Sequence, residues 1–367
     1  MGILRVILAI AVILSHCGAM PLIRPVSGSV AVEAFFIISG FYMSLILQEK
    51  YTPANFRLFI SNRLLRLFPV YWVVLVITCL FCLLLHVTSG GQDFPIFDRY
   101  LSVSQYGGTS FFLLFVNLFI VGQDMVMFLG IDPATGHLFF TSDFWQTSPP
   151  LYTFLFVPQA WSLGLEILFY LLAPWFARQK AAWLVVWILL SLLLRFYLHN
   201  GLSLTHDPWT YRFFPTELVF FLAGCLSYRL YRRIRVKRIP RSAGRLILAL
   251  LLPATCLYGY IPNYASSALP FSWNEIVYFL SVAAAIPVLF NYLKDSTRDH
   301  RISQLSYPMY ISHLLVVRIL YALPIAFFKQ SWVIVVATAM FSYLLDIAVA
   351  RPVEKYRQGR IRRFSVV

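Results

Sequence analysis

Residues 5–16 read RVILAIAVILSH, a mostly apolar stretch closed at one end by Arg5 and at the other by His16. It is the first of a series. Apolar runs long enough to cross about 30 Å of hydrocarbon recur near residues 3–20, 30–48, 69–88, 110–130, 159–177, 181–198, 212–231, 245–261, 274–293, 303–323 and 331–350. The chain has 367 residues, of which 60% are hydrophobic and only 12% charged, and its mean hydropathy is +0.74. Soluble domains carry roughly a quarter charged residues, so this is an integral membrane protein. The runs are too long for barrel strands, and lipid-exposed backbone must satisfy its own hydrogen bonds. The expected fold is therefore all-α, a polytopic helical bundle forming one domain over 1–367 with no soluble appendage. The first run lacks a convincing cleavage site and reads as a retained helix.

The formal charge of +15 does not point to nucleic acid, because the basic residues sit in short loops between apolar runs. They cluster at Lys50 to Arg66, Arg178 and Lys180, Arg229 to Arg245, Lys294 to Arg301, and Arg351 to Arg363. The positive-inside tendency places such loops on the cytoplasmic side. Eleven full crossings cannot do so. The run at 110–130 contains Asn117 and ends in GQD, and treating it as re-entrant or interfacial restores the pattern. Ten transmembrane helices with both termini cytoplasmic follow, and residues 89–158 then form an outer region rich in aromatics. The five cysteines lie in or at apolar runs and imply neither a disulfide framework nor a metal site.

Ionisable residues at membrane depth are costly, so each is a functional candidate. Arg5 and His16 are three helical turns apart, on one face and roughly 16 Å apart along the axis. On the expected topology Arg5 lies near the cytoplasmic surface with Arg63 and Arg66. His16, Glu33, Glu166, Arg195 and Glu217 fall in the outer half and His313 near mid-depth. Arginine forks suit phosphate, and histidine suits proton transfer or nucleophilic attack near neutral pH. A carboxylate such as Glu166 or Glu33 can fix a histidine tautomer or take a proton. Structural roles stay open for each: helix-packing hydrogen bonds for a histidine, headgroup contacts for the arginines, and a buried pair of Glu166 or Glu217 with Arg195. The glycines of FFIISGF and FLAGC allow close helix approach without any chemistry.

Taken together, these segments resemble membrane acyltransferase family 3, integral-membrane enzymes that O-acylate bacterial surface glycans. Arg5 and His16 match the family's Arg, ten residues, His arrangement. FFIISG at 35–40 matches Phe-Phe-x-x-Ser-Gly, RLLR at 63–66 followed by PVYW matches Arg-x-x-Arg, and WSLGLEILFYLLAP at 161–174 matches the Trp-Ser-Leu…Glu segment. FLAG at 221–224 and SYPMYISH at 306–313 look like later helices. The resemblance implies transfer of an acyl group, expected to be acetyl, from cytoplasmic acyl-coenzyme A (acetyl-CoA) to a hydroxyl of an extracytoplasmic or lipid-linked glycan. No bound cofactor or metal is expected, and the location is the bacterial inner membrane. His16 would be the catalytic base or transient acyl carrier, with Glu166 a second catalytic candidate. Arg5, Arg63 and Arg66 would bind the donor. Glu33, Ser39, Trp161, Ser162 and His313 complete the expected substrate site. Many relatives carry a carboxy-terminal esterase-like domain, whereas this chain ends soon after Arg363. Direct transfer, or handover to a polysaccharide-assembly partner, is therefore expected. A transporter or flippase and a non-catalytic partner in polysaccharide assembly are the alternatives. No internal repeat favours transport.

Overall fold

The computed structural model describes residues 1–52, 55–90, 94–235 and 239–364. Its helices are α1 (Gly2–Cys17), α2 (Gly28–Glu49), α3 (Phe56–Ser89), α4 (Ile96–Val103), α5 (Gly107–Phe119), α6 (Trp161–Phe176), α7 (Ala181–Gly201), α8 (Phe214–Ile234), α9 (Arg241–Cys256), α10 (Trp273–Leu293), α11 (Thr297–Ala322), α12 (Ser331–Leu345) and α13 (Arg351–Phe364). Five stretches are by themselves long and apolar enough to cross a bilayer: Gly28–Glu49, Phe56–Thr88, Ala181–Gly201, Trp273–Leu293 and Ser331–Arg363. The all-α expectation holds, with one addition. A short antiparallel hairpin pairs β1 (Leu129–Ile131) with β2 (Leu138–Phe140) around a turn in which Asp132 accepts from the Ala134 N–H at 2.9 Å. Three-residue strands leave too little alternation to be read from sequence.

Two parallel helix pairs fix the bundle. At the start of α1 the Asp299 carboxylate of α11 accepts from the backbone N–H of Gly2 at 2.7 Å and of Ile3 at 3.1 Å, filling orphan donors of the helix N-terminus. At the other end of the same pair the rings of His16 and His313 meet. The second pair, α2 and α8, packs backbone to backbone. A Cβ added at Gly40 would collide with the Phe221 carbonyl, and one at Gly224 would lie 2.6 Å from the Phe41 nitrogen. The glycines of FFIISGF and FLAGC thus act as close-approach residues.

The helices α1–α3 and α6–α12 alternate in direction between two ends. At one, the basic end, Arg232 donates to Gln48 at 2.8 Å, Arg235 pairs with Glu49 at 2.8 Å, and Arg229 donates to the Ala177 carbonyl at 2.7 Å. The carboxy-terminal turns of α2, α6 and α8 are thereby joined. Within the basic cluster at 229–245, residues 236–238 lie outside the described residues.

The opposite, aromatic end is capped by residues 96–160. The apolar run at 110–130 is not one helix: α5 spans 13 residues, about 20 Å, short of the hydrocarbon thickness. It stops at Ile120 (φ +66°) and turns at Gly122 (φ +86°). Asn117, buried in α5, holds this reversal by donating to Tyr100 at 2.9 Å and accepting from the Phe156 N–H at 2.9 Å. A separate apolar cluster including Leu113, Phe144 and Phe154 forms the interior of this cap.

Several helices exceed their apolar runs. Helix α3 begins at Phe56, so Arg63 and Arg66 lie within its opening turns. After α12 the backbone continues through a π-helical segment, Asp346–Ala350, into α13. The basic cluster at 351–363, expected on the cytoplasmic side, is helical and packs against α3, where Arg360 donates to Asn62 at 3.0 Å and Ser61 at 2.9 Å.

Candidate active site

Three successive cavities run from the basic end to the aromatic end. The first, of about 300 Å³, is lined by Arg5, Arg63 and Arg66, together with Tyr51, Tyr307 and residues of α13. Arg5 donates to Ser303 at 3.0 Å. Arg63 is buried, with no hydrogen-bond partner for its Nε among the described residues.

The second cavity is a narrow waist of about 90 Å³ that shares Arg5, Tyr42, Arg66 and Tyr307 with the first. Its polar walls are Ser39, Ser162, Glu166 and Tyr170. Ser39 donates to Glu166 Oε1 at 2.6 Å, tying α2 to α6. Ser162 and the Tyr310 hydroxyl lie 2.6 Å apart, tying α6 to α11.

The third cavity, of about 450 Å³, shares Val32 and Tyr310 with the waist. It is walled by His16, Trp145, Tyr152, Trp161, Tyr211 and Arg212. The Arg212 guanidinium sits 4.3 Å over the Trp161 ring and donates to Asp207 at 2.7 Å. Flat aromatic walls with fixed hydrogen-bonding groups suit sugar faces, and a stacked arginine is held rigidly enough to orient a ligand.

The one-face reading of α1 is therefore met: Arg5 opens onto the inner two cavities and His16 onto the outer one. Arg63 and Arg66 join Arg5, and Ser39, Ser162 and Glu166 meet in the waist, while Trp161 reaches the outer cavity.

Three expectations need correction. Glu33 does not face the cavities. It pairs with Arg195 at 3.4 Å in a buried cluster that also contains Glu217, with the guanidinium 4.3 Å over the Phe271 ring. The reason is its helical position, which turns it toward α7 and α8 and away from α1. Neither Glu33 nor Glu166 orients His16: Glu166 hydrogen-bonds Ser39 instead, and the ring packed beside His16 is that of His313, with centroids 5.1 Å apart. His313 is not at mid-depth but level with His16, fully buried, its Nδ1 2.6 Å from the Tyr310 carbonyl. It stands behind the cavity wall.

Tyr170, Tyr310, Arg212 and Arg357 enter the site without having been singled out from sequence. The tyrosines carry no charge to mark them among 21, Arg212 opens the apolar run at 212–231, and Arg357 is one of several basic residues in the cluster at 351–363.

A family profile described as an acyltransferase domain matches residues 1–351. No curated protein and no solved structure gives a significant match. The profile takes in Arg5, Arg63 and Arg66 at the inner cavity, the waist and the histidine at the outer one in a single continuous match over most of the chain, and on that ground the chain belongs to the acyltransferase 3 family of membrane acyltransferases.

Proposed function

We propose that the protein carries an acyl group, acetyl by preference, from cytoplasmic acyl-coenzyme A to a hydroxyl of an extracytoplasmic or lipid-linked glycan. The observation that supports this reading is the order of the cavities: guanidinium groups at one end, a narrow polar waist, and His16 among aromatic rings at the other. With the basic end cytoplasmic, ten helices cross the inner membrane and both termini lie inside.

Each part has a chemical use. The forks of Arg5, Arg63 and Arg66 suit the donor's phosphates. The roughly 16 Å from Arg5 to His16 must be covered by something long and thin, and the waist admits an extended arm but not a nucleotide or a sugar. Ser39 and Glu166 offer that arm hydrogen-bonding partners, so Glu166 serves donor placement. At the outer end His16 takes the proton from the acceptor hydroxyl as its oxygen attacks the thioester carbon. The new ester bond forms, the carbon–sulfur bond breaks, and the thiolate leaves. Confinement of both reactants supplies the positional part of the catalysis.

The test uses cells lacking the native protein, complemented with wild type or His16→Ala at equal membrane levels. Surface-glycan acyl content restored by wild type and absent with His16→Ala supports the reading. Full restoration by His16→Ala rejects it.

A further inference from the structure

The inner cavity holds more positive charge than the arginines of α1 and α3 supply. Six of its lining side chains are Lys or Arg (Arg5, Lys50, Arg63, Arg66, Arg351 and Arg357), against two carboxylates, Asp346 and Glu354. Asp346 is engaged by Arg351 at 2.7 Å. Glu354 pairs with Arg357 across one helical turn. Arg5 has only the neutral Ser303 hydroxyl, and Arg63 and Arg66 make no side-chain hydrogen bond among the described residues.

Arg357 is as buried as Arg63, at 4% and 6% exposed, and in each the Nε lacks a partner among the described residues. Arg63 and Arg66 stand close enough to repel it. Buried like charges with orphaned donors are costly unless something of opposite sign completes them. The helix that carries Arg357 is not free to swing away, because Arg360, three residues on, donates two hydrogen bonds to Ser61 and Asn62 beside Arg63. The structure thus fixes Arg357 toward the same space as Arg63 and Arg66. It also lies outside the family match, which ends at residue 351.

We propose that Arg357 is a ligand for a phosphate of the acyl donor, so that α13 closes the donor site begun by Arg5, Arg63 and Arg66. This rests on the reading of the inner cavity as the entrance for acyl-coenzyme A. The function of α13 is then to present a fourth fork to a polyanion. Exposed Arg362 on the same helix contributes only to the diffuse field.

The experiment is calorimetric titration of the purified full chain, in lipid nanodiscs, with coenzyme A as the probe. Arg357→Gln is expected to weaken binding at least tenfold and Arg357→Lys about threefold, since lysine keeps the charge but not the fork. Arg362→Gln should stay within twofold of wild type. Wild-type affinity in Arg357→Gln overturns the inference, as does wild-type affinity in Arg357→Lys should the glutamine variant fail to accumulate. Weakening in Arg63→Gln and Arg66→Gln but not in the Arg357 variants overturns this inference alone. No binding by the unaltered protein overturns the donor reading beneath it.

Discussion

The rings of His16 and His313 lie 5.1 Å apart, the first on the wall of the outer cavity and the second wholly buried behind it. Because a carbonyl can only accept, the 2.6 Å contact with Tyr310 puts a proton on His313 Nδ1 and leaves Nε2 a bare lone pair with no partner among the described residues. The His16 ring packs beside it. A histidine that must accept a proton on one nitrogen works best when its other N–H is held by an acceptor. His313→Phe, which keeps the ring volume and removes the acceptor, is expected to lower glycan acylation at least tenfold at unchanged membrane level. His313→Gln should retain more activity than the phenylalanine variant. Equal activity in both variants and wild type would show that His313 only fills space.

Glu33, Arg195 and Glu217 form a different kind of polar cluster, three charged side chains each no more than about 5% exposed. Two carboxylates on one guanidinium leave an excess of acid, so removing one acid should cost far less than removing the base. Arg195→Leu leaves two buried carboxylates facing each other without a cation, a loss on the order of 3–5 kcal/mol. It should abolish accumulation in the membrane. Glu33→Gln keeps the shape and the hydrogen-bonding oxygen and should accumulate and function like wild type. Membrane levels of both variants, and thermal unfolding of Glu33→Gln against wild type in detergent, are the measurements.

Gly40 carries a packing prediction. Its α-carbon faces the Phe221 carbonyl of α8 so closely that no side chain fits without separating the helices. Gly40→Ala is expected to destabilise by about 1–3 kcal/mol as an overpacking change. It should also depress acylation, because Ser39, which holds Glu166, is the adjacent residue. Gly90→Ala is the contrasting substitution. There the Cβ meets nothing within 4 Å among the described residues and the left-handed backbone (φ +64°) is what resists it, so the loss should be near 1 kcal/mol.

The membrane class, the all-α fold and the break in the run at 110–130 could be read from apolar run lengths and from where the arginines fall, since both follow directly from the thickness and sidedness of a bilayer. The Arg5–His16 alignment was equally legible, because three turns of one helix fix two side chains on one face whatever packs around them. What stayed hidden depends on rotation between helices. Glu33 and Glu166 both sit in apolar helices, and nothing local says that one faces Arg195 and the other Ser39. The depth of His313 was misjudged because α11 begins at Thr297, capped by Ser296, six residues before its apolar run. Helix α13 is legible in the sequence only as the basic cluster at 351–363, because no apolar stripe announces it. Its order comes from side-chain hydrogen bonds to α3.

Asp124 offers a pH-dependent test outside the crossing helices. It lies in the turn after α5, is 6% exposed, and packs against Gly164 of α6, whose added Cβ would come 3.0 Å from Oδ1. That oxygen has no hydrogen-bond partner among the described residues. Burial pushes its carboxyl up from the ordinary 3.8 to about 6, against the opposing pull of its own and Met125's backbone N–H groups. With the folded value above the unfolded one, the stability contributed by the protonated carboxyl is complete below about pH 4 and is lost as pH rises through 6. The full displacement corresponds to roughly 3 kcal/mol. Wild type should therefore melt at a lower temperature at pH 7.5 than at pH 5 relative to Asp124→Asn, which stays uncharged throughout. The two melting curves should converge at acid pH. A constant gap between wild type and Asp124→Asn across that range would mean that Asp124 is solvated in the membrane-embedded protein.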